Sequence, residues 1–103
     1  DKHGFIWAGT KDGLVRFDGY ECKVFKQTEN DTTNFQGKSI HAILEDSKGN
    51  LWVGTQTHGI NLRESKTGIF RNLNDETLFK PIARKWINCF FEDKNGKIWI
   101  GTI

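Results

Sequence analysis

The residues best suited to chemistry are scattered along the chain. Two adjacent carboxylate pairs, Glu45-Asp46 and Glu92-Asp93, carry the groups that general acid–base catalysis uses. His3, His41 and His58 lack the His-x-x-x-His spacing with a nearby carboxylate that would point to zinc. There is no Gly-x-Ser-x-Gly elbow, and the full Gly-x-x-x-x-Gly-Lys-Ser/Thr phosphate loop is absent. Cys22 and Cys89 lie far apart in sequence and cannot form the disulfide framework of a small secreted domain. Both read as small, half-buried strand residues. That leaves the aromatic residues. Trp7, Trp52, Trp86 and Trp99 offer flat faces of the kind that stack on pyranose rings. No catalytic residue, metal ligand or cofactor site is assigned.

Composition narrows the classes further. The 103 residues are 36% hydrophobic and 13% aromatic, too much apolar bulk for a disordered chain. Mean hydropathy is −0.59, and no apolar run approaches the roughly 18 residues of a membrane span. No positively charged start with an apolar stretch marks a signal peptide. The net charge of +2 is spread along the chain, which argues against nucleic acid as a partner.

What positions these residues is internal repetition. Residues 4–10 read Gly-Phe-Ile-Trp-Ala-Gly-Thr, residues 49–55 Gly-Asn-Leu-Trp-Val-Gly-Thr, and residues 96–102 Gly-Lys-Ile-Trp-Ile-Gly-Thr. Trp7, Trp52 and Trp99 stand in register, and Asp1, Asp46 and Asp93 each precede the first Gly by three residues. Downstream, Gly13-Leu14 answers Gly59-Ile60 and Phe25 answers Phe70. A residue present in every copy is one that every copy needs. The three repeated Trp are therefore assigned to packing rather than to ligand contact. Gly9, Gly54 and Gly101 read as points of close backbone approach. Asp46 and Asp93 read as turn caps, with Gly49 and Gly96 closing the same turns. Glu45 and Glu92 recur with the repeat and take a fold role by default.

Each unit reads as short strands joined by tight turns: Ile40–Asp46, Leu51–Thr55, Ile60–Arg63 and Ile69–Leu73 in the middle copy. Four antiparallel strands in roughly 46 residues is the count and period of a β-propeller blade. With blade strands labelled a to d, the chain runs b-c-d, a-b-c-d, a-b. The expectation is an all-β fold, an incomplete segment of a larger propeller. It comprises a partial blade over 1–27, a complete blade over 39–74 and the start of the next over 86–103. Residues 28–38 and 74–85 read as exposed links. Leu78, Phe79, Pro81 and Ile82 suggest that the second link packs against something.

The pattern Glu-Asp-x-x-Gly-x-Leu/Ile-Trp-x-Gly-Thr, followed by Gly-Leu/Ile and Thr-Gly-x-Phe, resembles the two-component regulator propeller repeat across essentially all of the chain. That repeat builds the periplasmic sensor region of hybrid two-component proteins. There, two propellers precede an immunoglobulin-like module, a membrane helix and a histidine kinase. Asp12-Gly13 and His58-Gly59 stand where the family often has Gly-Gly, and Gly37-Lys38 and Arg84-Lys85 where it often has Ser-Asn. These departures fall in loops and leave the fold expectation intact. The resemblance implies a periplasmic, non-enzymatic sensor of polysaccharide-derived oligosaccharides. It also implies a homodimeric ectodomain, the remaining blades as partners, and no membrane contact by this segment. Streptogramin lyases share a similar Gly-x-x-Trp blade, so a propeller lyase is the competing expectation. A purely structural blade segment is the third.

Trp86 breaks the repeat, since the matching position in the previous unit is Ser39. It opens an a strand, which in propellers lines the central channel, beside Arg84 and Lys85. Two roles are open: contact with an acidic sugar through stacking and charged hydrogen bonds, or capping of the blade edge. His41 and Asn88 share one position of the a strand and complete the candidate ligand site.

Overall fold

The computed structural model describes residues 6–11, 13–25, 39–73, 77–82 and 85–102. The repeated Asp-x-x-Gly turns explain why strands pair with their sequence neighbours. Asp46 opens a turn in which the Gly49 N–H bonds the Asp46 carbonyl at 3.0 Å, and Gly96 bonds Asp93 in the same way at 3.1 Å. Gly49 and Gly96 have φ of 84° and 79°, a left-handed backbone that a side chain disfavours. Each turn brings two apolar strands side by side.

The first sheet holds β1 (Ile6–Thr10), β2 (Gly13–Phe17) and β3 (Cys22–Phe25). The second holds β4 (Ile40–Glu45), β5 (Leu51–Thr55), β6 (Ile60–Arg63) and β7 (Phe70–Asn72). The third pairs β8 (Ile87–Glu92) with β9 (Ile98–Thr102). All pairings are antiparallel between consecutive strands. The sheets are β-propeller blades, with β4 lying against β1 on one side and β8 on the other.

The core sits between the blades rather than within one. Leu14 and Phe25 of the first blade meet Ile40, Leu51, Val53 and Phe70 of the second. On the other face, Ile60, Leu62 and Leu73 of the second blade meet Ile87 of the third. Strand alternation produces this division: in β5, Leu51 and Val53 point to the first blade while Trp52 and Gly54 face the third. The second link forms a 3-10 turn over Thr77–Ile82, and its Phe79 and Ile82 pack on the second cluster.

Three details depart from the sequence reading. The strand expected over Ile69–Leu73 is shorter, Phe70–Asn72, although the Leu73 N–H still bonds the Ile60 carbonyl at 2.9 Å. Phe25 and Phe70 are not equivalent positions. Phe25 pairs with Leu14, whose counterpart Ile60 is bonded by Leu73, while Phe70 pairs with Arg63. The turn between β6 and β7 is longer than that between β2 and β3, and this shifts the register. Phe25 and Phe70 instead face each other across the blade boundary, ring centroids 5.0 Å apart. Lastly, Cys22 and Cys89 are exposed rather than half-buried, because both lie on sheet faces that no described blade covers.

Candidate functional site

Each residue of the repeated motif has a distinct task in the structure. The Asp46 carboxylate accepts from the Lys48 and Asn50 backbone N–H groups, 2.9 Å each, and from the Trp52 indole N–H at 3.0 Å. Asp93 does the same with Asn95, Lys97 and the Trp99 indole. One carboxylate thus fixes both the turn and the rotamer of the Trp on the next strand. Burial raises the Asp46 pKa, but the bonds from Trp52, Asn50 and Lys48 outweigh it and hold the carboxyl below its ordinary value. Asp93 is lowered as well, chiefly by the Trp99 indole and then by the Lys97 backbone.

Trp7 lies at the boundary of the first two blades, 5.9 Å from the Phe25 ring and 6.3 Å from Phe70. Trp52 lies at the next boundary, near Phe79 and Phe90. What approaches the repeated glycines is a side chain rather than a backbone. A methyl group on Gly9 would sit 2.6 Å from Ile40 Cγ2, and one on Gly54 would sit 2.5 Å from Ile87 Cγ2. Each glycine is therefore the seat for the first isoleucine of the following blade. The closing Thr completes the motif, since Thr55 Oγ1 donates to the Gly59 carbonyl and accepts from the His58 N–H.

Glu92 also bridges blades, which the sequence reading missed. Its carboxylate accepts from the Ser47 N–H at 2.9 Å and from the Ser47 hydroxyl at 2.7 Å, on the hairpin turn of the preceding blade. The signal was the recurrence of Glu directly before Asp46 and Asp93. Only the fold reveals that the two carboxylates serve different blades.

The non-repeated candidates gather in part. Trp86 is half-buried, and its ring centroid lies 4.7 Å from that of the exposed His41. The Trp86 indole Nε1 is buried without a hydrogen-bond partner among the described residues. Leaving such a donor unpaired costs about 1–3 kcal/mol. His41 and Asn88 are each the extra residue of a β-bulge: Ile40 pairs with Thr55 and Ala42 with Gly54, while Ile87 pairs with Thr102 and Cys89 with Gly101. A bulge re-aims the side chain it frees from the ladder. Asn88 and Lys85 are exposed, and the Lys85 N–H bonds the Ile82 carbonyl. Arg84 lies outside the described residues. His41 also borders a shallow cavity of about 220 Å³ with Gly9, Ile40, Ala42 and Ile43. A second hollow of about 420 Å³ lies between two turns of the middle blade and is lined by Lys48, Asn50, Glu64, Ser65 and Lys66. Among the described residues, no three His, Cys, Asp or Glu side chains gather as a metal site requires.

Residues 34–57 and 82–103 match the two component regulator propeller family. The matched stretches contain the β4–β5 and β8–β9 hairpins. A histidine kinase of Formosa agariphila is 44% identical over 34 residues, 33% of this chain and 2% of that protein. The fold superposes on a crystal structure of the extracellular domain of a protein assigned as a hybrid two component system of B. thetaiotaomicron. The TM-score is 0.70 with 27% identity, covering 95% of this chain and 13% of that one. The chain spans only a small part of the proteins it resembles. No helix among the described residues is long and apolar enough to cross a membrane.

Proposed function

Since the chain carries the two component regulator propeller repeat at two places, we propose that it is a non-enzymatic blade segment of a sensor propeller in a hybrid two-component protein. The segment lies outside the cytoplasm, in the periplasm, and further blades complete the ring. The ligand is an oligosaccharide released from a polysaccharide. It is held where the a strands present their bulge residues, by Trp86 and His41 with the exposed Asn88 and Lys85, and Arg84 is a further candidate from its place in the sequence alone. Binding shifts blade packing in a dimeric ectodomain and so biases a kinase on the other side of the membrane.

The observation that carries the ligand assignment is the Trp86–His41 contact, with an indole N–H that has no partner among the described residues. An aromatic face flanked by polar, exposed neighbours suits a sugar, whose ring C–H face stacks while its hydroxyls take hydrogen bonds. A hydroxyl that reaches the indole after a small turn of the ring would relieve the unpaired donor. The test is calorimetry on the intact ectodomain with a panel of neutral and acidic oligosaccharides made by partial polysaccharide hydrolysis. Trp86→Ala is expected to weaken binding by about tenfold or more, the cost of one lost stacking partner at 1.4 kcal/mol per decade. Unchanged affinity would return Trp86 to an edge-capping role.

A further inference from the structure

The boundary between the first two blades carries charge where the next boundary is apolar. In the second blade, Trp52 pairs with Leu62 and Leu62 with Arg71 across the sheet. Leu62 is buried in the cluster shared with the third blade, and Arg71 is held by Glu64 at 3.1 Å. The first blade repeats this row as Trp7, Arg16 and Lys23. A guanidinium therefore stands where the repeat buries a leucine. Its Cζ lies 5.8 Å from the Trp7 ring centroid and 5.7 Å from that of Phe25, and Lys23 Nζ lies 5.0 Å from Phe25. The second blade adds another cation from the facing side, since Arg63 Cζ lies 5.4 Å from Trp7.

Three cations among the described residues thus converge on two rings. Stacking on the rings does not by itself account for them, because two arginines on one tryptophan repel each other. Burial pulls the Arg63 pKa down and the Arg16 charge pulls it further, with Glu45 opposing. The carboxylates that feel these arginines are Glu45 and Asp18. Asp18 already accepts the Tyr20 and Glu21 N–H groups, 2.8 Å each. Arg63 forms no ion pair among the described residues. A guanidinium stacked on a ring engages its flat face, and its in-plane N–H fork suits an oxyanion. We propose that Arg16 and Arg63 form a binding site for a doubly charged oxyanion, a phosphate or sulfate group, with the exposed Lys23 beside them. One fork comes from each blade, so the bound anion ties the two blades together. The site lies apart from the sugar site. Arg63 pairs with Leu51 beside the Asp46–Gly49 turn, whereas Trp86 adjoins Ile87, which pairs with Thr102 at the far end of its hairpin from the turn.

Calorimetry on the intact ectodomain tests this, with inorganic phosphate as the probe at an ionic strength fixed by chloride. Arg16→Leu installs the residue that the next blade carries at the same position, and Arg63→Gln removes the second charge. Each should weaken phosphate binding about tenfold or more, the loss of one charge-assisted fork. Arg16→Lys keeps the charge without the fork and should fall between. Glucose 6-phosphate in place of the free ion identifies the source: tighter binding assigns the site to a phosphate monoester, weaker binding to the free anion. Indole 15N–1H spectra supply the local readout. Phosphate should shift the Trp7 resonance saturably and leave Trp52 in place, and the Trp7 shift should vanish in Arg16→Leu. An unmoved Trp52 resonance in that variant reports an intact fold. Phosphate affinity that survives both substitutions assigns the arginines to stacking on Trp7 and overturns the proposal. Equal shifts at all indoles are a general effect of the salt and overturn it as well. So does a parent protein that binds no phosphate at millimolar concentration. Absence of oligosaccharide binding would sink the sensor reading and leave these phosphate affinities untouched.

Discussion

Trp52 and Trp99 make the same bond in different surroundings. Each indole donates to its capping Asp at 3.0 Å. Trp52 is half-buried against Phe79 and Phe90, while Trp99 stands on the open face of its sheet. Asp46 is buried, whereas the bonds around Asp93 are exposed. The hairpin is therefore a local product of its own seven residues and forms the same way whether or not a neighbour covers it. Stability comes from the boundary, where one blade presents a glycine seat and the next fills it. The repeat encodes both, and the two can be separated experimentally.

The largest effect should come from the boundary itself. Ile87 is fully buried over Gly54. Ile87→Ala should cost about 2–4 kcal/mol in urea unfolding, the usual range for a buried aliphatic truncation. Phe91→Ala, a larger truncation on the open face, should cost far less. Equal losses would show that the boundary is not where the stability lies.

A smaller contrast is expected at the caps. Asp46→Ala strips partners from the Trp52 indole and two backbone N–H groups in a buried setting, and should cost about 1–2 kcal/mol. Asp93→Ala should cost less, because water replaces the lost carboxylate. The same comparison has a pH signature. The Asp46 carboxyl is held below the ordinary 3.8, so its contribution is complete above that value and disappears as pH falls through the lower folded-state pKa. Thermal melts between neutral pH and pH 2 should therefore show an acid limb that Asp46→Ala flattens more than Asp93→Ala. An acid limb that neither change alters would remove the caps from the account.

The hairpins were legible in sequence because their determinants lie within a few residues of one another. Asp46, Gly49 and Trp52 need no distant partner to make their bonds. The boundary was not legible in the same way. Ile40 finds Gly9, and Glu92 finds Ser47, only when blades stack, so composition and spacing marked these residues as repeated without giving their partners. Loop length misled directly: the longer turn before Phe70 broke the apparent match with Phe25. The bulges at His41 and Asn88 were invisible too, since nothing in the types of those two residues announces an unpaired position. Trp86 stood out for the opposite reason, as the one Trp that the repeat does not explain.

That difference among the tryptophans gives the most direct test of the sensor account. The intact ectodomain, labelled with 15N, should be titrated with the tightest oligosaccharide of the panel while the indole N–H resonances of this segment are followed. The account predicts a saturable shift at Trp86, whose donor has no partner among the described residues, while Trp52, already bound to Asp46, stays in place. A shift at Trp52 or Trp99 with Trp86 unmoved would contradict it.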